Sequence, residues 1–119
     1  MHDDRYRAAR QRLHNAILCT PGSTHPDLRQ QVATQSRQLS GCLPDEPLQV
    51  PSELVSYTQK VARNAYKVID RDIELLQEAG YSEEAIFEIT LSAAFGAGMA
   101  RLDCGLMALK GASHASSEH

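Results

Sequence analysis

Between Ala85 and Ala100 the chain is apolar around nearly the whole circumference of a helix. A helix of that kind is stable only where other surfaces cover it, in a core or between subunits. Ser82 suits its N-cap, and Glu83 and Glu84 suit its first turn. The pattern runs on to about Lys110-Gly111. Ser92-Ala93-Ala94-Phe95-Gly96-Ala97-Gly98 is a run of small residues. Glycine inside a helix costs about 1 kcal/mol relative to alanine, a cost that close helix contact offsets. With 119 residues, one domain has little room to surround such a helix. The segment therefore predicts a long buried C-terminal helix and a homo-oligomer.

The rest of the chain reads as further helices. Tyr6, Ala9, Leu13, Ala16 and Ile17 form one apolar stripe over 4–19, with Arg5, Arg7, Arg10, Arg12 and His14 on the remaining face. Thr20-Pro21-Gly22-Ser23 ends that helix. A second fits 26–39, with Pro26 at its first position. Gly41, Pro44, Pro47 and Pro51 mark a linker over 41–51. Ser52 is the expected cap of an amphipathic helix over 52–68, on which Leu54, Tyr57, Val61, Ala65 and Val68 share a face. Asp70 is the expected cap of a short helix that stops at Gly80. No strand-like alternation is present. The prediction is an all-α bundle of about five helices in a single domain, 1–111. It comprises basic N-terminal helices (1–40), the linker, a core (52–111) and a flexible tail (112–119).

Charge is uneven. Residues 1–40 hold six arginines against three aspartates, a balance of +3, while 41–119 balance at −6. Faces of opposite sign that meet in the fold or in an oligomer account for this without nucleic acid, since the basic helix lacks interleaved aromatics. The longest uncharged apolar run, 89–100, has twelve residues, against about twenty for a membrane span. The start is polar, without a leader-like apolar segment. Three widely spaced cysteines, Cys19, Cys42 and Cys104, suit a reducing cytoplasm, with Cys104 as a buried packing thiol. No histidine lies within 26–113, so no metal site or cofactor is expected.

One polar cluster stands out where two helices meet: Arg63, Asn64, Tyr66, Lys67, Asp70 and Arg71. Lys67 and Arg71 would repel at i,i+4, which favours a break near Ile69. A helix N-terminus at such a corner can hold a small anionic ligand.

The segment Ala79-Gly80-Tyr81-Ser82-Glu83-Glu84-Ala85-Ile86-Phe87-Glu88-Ile89-Thr90-Leu91-Ser92-Ala93-Ala94-Phe95 resembles the helix-turn-helix of the carboxymuconolactone decarboxylase and alkylhydroperoxidase D-like family. The resemblance covers about residues 50–110. It implies an alkylhydroperoxidase D-like helical fold assembled as a dimer, trimer or hexamer. Redox members carry Cys-x-x-Cys, a nearby histidine and an upstream glutamate. At the matching positions stand Asn64 and Lys67, then Arg71 or Asp72, and Glu53. Both thiols and the histidine are missing, so thiol peroxidase activity is not expected. What remains is a binding or assembly protein with its fold kept. The rivals are an enzyme using Glu53, Tyr66 and Lys67 for non-thiol chemistry and a regulatory helical interaction module.

Overall fold

A computed structural model describes residues 2–41 and 50–117, with side chains from 5 to 41 and from 50 to 111. Those residues form α1 (His2–His14), α2 (Pro26–Ser40), α3 (Ser52–Asn64), α4 (Asp70–Glu78) and α5 (Glu83–Ser117). A π turn, Asn15–Cys19, follows α1, and a 3₁₀ turn, Ala65–Lys67, follows α3. The chain is all-α, as its periodicity predicts, with the long C-terminal helix at its centre.

The core forms where α2 and α3 lie against α5. Val32, Leu54, Tyr57, Val61, Leu76, Ile86, Ile89 and Ala93 make one buried cluster. On α5, Ala85, Ile86, Ile89, Ser92, Ala93, Gly96, Ala97 and Ala100 are buried, at intervals of one, three and four. That is one helical face. The small residues there let α2 approach closely. A Cβ on Gly96 would lie 2.1 Å from the Ala33 carbonyl oxygen, so only glycine fits. Gly98 has open space around it, so the close approach uses one of the two glycines. The Ser36 hydroxyl donates to the Ala93 carbonyl at the same contact. Tyr57 reaches Thr90 at 2.6 Å, and Arg101 donates to the Ala62 carbonyl near the end of α3.

Several helix ends differ from the sequence reading. Pro51, not Ser52, is the N-cap of α3, and it has no side-chain bond to offer. Ile69, not Asp70, caps α4, because Asp72 in the first turn accepts the Ile69 N–H at 2.9 Å. The amphipathic helix expected to run to Val68 tightens at Ala65. Ala65–Lys67 form the 3₁₀ turn, closed by a 3.1 Å bond from the Val68 N–H to the Ala65 carbonyl. Ser82 caps α5 as expected, accepting the Ala85 N–H at 3.1 Å. Gly80 takes φ +104°, the left-handed stop. Gly111 has no positive φ, so α5 continues to Ser117 where a frayed tail was expected. Most of the expected linker, with Cys42, Pro44 and Pro47, lies outside the described residues, as does His119.

The first helix is turned relative to expectation. Its apolar stripe faces out: Tyr6 is 68% and Leu13 50% exposed. On its polar side Arg10 and His14 turn to the bundle, while Arg5, Arg7 and Arg12 stay exposed. Arg10 makes a bidentate pair with Asp103 at 2.7 and 2.9 Å, and the His14 ring stands edge-on to Phe95 with centroids 6.3 Å apart. The opposite charges of the two chain segments thus meet inside the fold. Arg37 also reaches Asp103 at 3.1 Å, and buried Arg29 lies 3.9 Å from Glu88.

Cys104 is disulfide-bonded and only half-buried, not a packed thiol. That removes the cysteine argument for a reducing compartment. Cys19 is a free, exposed thiol. Among the described residues, one helix, over Glu83–Gly111, is long and apolar enough by length and composition to cross a membrane. Of its most apolar stretch, 44% is buried in the bundle, and Arg101 and Asp103 interrupt its length.

Candidate functional site

The corner predicted from sequence lies on the surface. Tyr66 is 82% exposed on the 3₁₀ turn, and Lys67 Nζ sits 5.9 Å from the Tyr66 ring centroid. Arg63, Asp70 and Arg71 are exposed, and Asn64 is half-buried. Arg71 turns along its own helix to Glu74 at 3.3 Å and Glu78 at 3.2 Å. Those carboxylates hold its guanidinium pKa up, Glu78 first. Glu53 is engaged elsewhere: it accepts the Tyr81 hydroxyl at 2.7 Å. That bond lowers the Glu53 pKa. Burial and the same carboxylate push the Tyr81 hydroxyl up to about 12. Glu53 and Lys67 therefore have separate partners, and Lys60 rather than Lys67 spans the two helices, with 2.8 and 3.0 Å bonds to Asp72.

A second polar group is structural. The Glu88 carboxylate accepts from the Ser23 N–H at 2.8 Å, the Thr24 N–H at 2.9 Å and the Thr24 hydroxyl at 2.6 Å. Burial pushes its pKa up, but those donors and Arg29 outweigh burial, and the net shift is downward. Arg29, itself 2% exposed, donates to the carbonyls of Ile17, Thr20 and Thr24. This pair fastens the 20–25 loop to α5.

The opening lies between α1, α2 and α5, where the first helix stands off from the bundle. The cavity measures about 620 Å³. Its floor is apolar: Leu18, Ala33, Phe95, Gly96, Met99 and Leu106. Its rim carries Arg7, Arg10, Arg37 and Lys110, with Gln11, Gln30 and Thr34. Among the described side chains no acidic one lines it, and none of the corner residues named above does. Asp103 behind it offsets part of the charge, and Arg10, then burial, then Arg37 set its pKa, with a net fall. Sequence reading missed this groove because nothing in the chain order pairs Arg10 and Arg37 with Asp103. The signal was present in the basic first segment and acidic second segment.

Comparison with protein-family models, curated proteins and solved structures finds no match.

Opposite its core face, α5 presents a second apolar row. Phe87, Leu91, Ala94, Gly98, Leu102, Gly105 and Leu109 recur at intervals of three and four over roughly 33 Å of helix. Phe87 and Leu109 are each 66% exposed. No described element of the chain covers this row. Its small members are suited to a closely approaching helix, and a row of this length exceeds the scattered apolar residues of ordinary surfaces.

Proposed function

We propose that this chain is a subunit of an alkylhydroperoxidase D-like homo-oligomer that has kept the helical scaffold without the dithiol, and that acts by assembly and ligand binding. The exposed apolar row on α5 carries the reading. A helix apolar on two opposite faces has one face filled by its own bundle, and the other is left for a second copy.

Two dimensions support it. The radius of gyration is 16.3 Å, against about 13.5 Å for a compact chain of this length. The accessible surface is 8053 Å², against roughly 6,400 Å² for a compact monomer of this mass. The excess is about twice the ~800 Å² that one partner contributes to a standard protein–protein interface. Asn64 at the end of α3 and Lys67 at the end of the 3₁₀ turn stand in place of a thiol pair, which supports the absence of thiol chemistry.

Light scattering coupled to size exclusion tests the proposal. The expected mass at micromolar concentration is a whole multiple of 13.1 kDa. A single species at 13.1 kDa would overturn it.

A further inference from the structure

We infer that the groove between α1, α2 and α5 binds an amphipathic monocarboxylate, a free medium-chain acid held by its head on the cationic rim and by its hydrocarbon on the apolar floor. The inference goes beyond assembly, because the groove uses Phe95, Met99 and Leu106, none of which belongs to the exposed row of α5.

The argument begins with charge. Arg7, Arg10, Arg37 and Lys110 line the cavity, and among the described side chains no carboxylate does. Asp103 behind the rim binds Arg10 and Arg37 together, so one negative charge serves two guanidinium groups. Arg7 and Lys110 meet no carboxylate among the described side chains. The site is therefore net positive in a chain whose formal charge is −3. Arg37 Nε is also buried without an acceptor.

The floor gives the second half of the ligand. Phe95 and Met99 offer an aromatic ring and a flexible thioether, which adapt to an alkyl chain. The cavity, about 620 Å³, lies within the range of small-molecule sites. A compact inorganic anion would leave that floor uncovered, and a neutral hydrocarbon would leave the cations without a counterion. An acid with an alkyl tail satisfies both. Guanidinium groups suit its head, because they bind carboxylate through paired hydrogen bonds.

The experiment is calorimetric titration of the full chain with decanoate and with decyltrimethylammonium, which share a tail and differ in the sign of the head. Decanoate is expected to bind saturably at one per chain, and the cation at least about tenfold more weakly. The R7Q/K110Q variant should weaken decanoate at least about tenfold with native mass and melting unchanged. The charge-matched R5Q/R12Q variant, outside the groove, should leave it unchanged. Equal binding of both heads, no saturable decanoate binding, or an unaffected R7Q/K110Q variant would overturn the inference. So would a change of native mass in R7Q/K110Q, which would make the groove a seat for a second copy. Co-sedimentation with phosphatidylglycerol vesicles that R7Q/K110Q abolishes would assign the groove to a membrane surface and also overturn it. A monomeric mass for the wild type would defeat the assembly proposal and leave this one standing.

Discussion

Replacing Glu88 by glutamine removes the charge that holds the 20–25 loop to α5. In the wild type one carboxylate accepts three hydrogen bonds from Ser23 and Thr24 and faces Arg29 at 3.9 Å. The glutamine carbonyl can keep the Thr24 side of the contact, but its NH₂ group then faces the Ser23 N–H. One donor pair collides, the remaining bonds lose charge assistance, and buried Arg29 loses its counterion. Breaking a buried pair from one side costs about 3–5 kcal/mol. Arg29 keeps its carbonyl partners, so the lower end applies, about 3 kcal/mol. At roughly 4 °C per kcal/mol for a chain of this size, melting should fall by about 12 °C. Circular dichroism during urea and thermal unfolding reads both. The loss should also depend on pH. The Glu88 pKa is lowered in the fold from an ordinary 4.5, so its stabilisation is present above that pH and is lost as pH falls through the folded value. Wild type and variant should converge in acid. A loss under about 1 kcal/mol at neutral pH, or a gap that persists unchanged to about pH 3, would refute the reasoning.

Gly96→Ala should destabilise by at least about 1–3 kcal/mol in urea unfolding, because its Cβ would meet backbone of α2 rather than a movable side chain; an unchanged midpoint would contradict that close approach. Tyr81 should ionise near 12 in an absorbance titration at 295 nm while the fold persists, and that step should vanish in Tyr81→Phe. Its pKa is raised, so the Tyr81 contribution to stability is present below the ordinary value of 10.0 and is lost as pH rises from there toward 12. Asp103→Asn should loosen α1 and speed tryptic cleavage within Arg5–Arg12 by about tenfold, the effect of one part-exposed charged contact; cleavage at the wild-type rate would place the tether elsewhere.

The helices and their order were legible because α2 and α3 carry periodic apolar faces that begin at Pro26 and Pro51, and α5 follows the stop at Gly80. Residues whose role depends on a distant partner were not. Arg10 reads as a solvent-facing charge until Asp103, 93 positions away, is brought beside it. The same distance hides the groove, since its rim and floor come from three helices. The cap at Ile69 was missed for a local reason: Asp72 reaches back to it, while Asp70 looked like the stronger cap by residue type. Glu53 was chosen as a site residue by its place in the chain, and its partner is Tyr81, 28 positions on, in the turn before α5. In α5 the sequence showed that both faces were apolar, and only packing could tell which face was filled. Ala97 is 1% exposed, while Ala94 lies on the open row.

That difference supplies the most direct test of assembly through α5. Sedimentation velocity of Ala94→Glu places one charge on the open row without touching the core. The account predicts a helical species of 13.1 kDa that has lost the wild-type oligomer. Ala97→Glu, measured beside it, should lose its cooperative unfolding, because a charge there is buried without a partner. An Ala94→Glu protein that sediments as the wild-type oligomer would contradict the claim that this face of α5 joins the subunits.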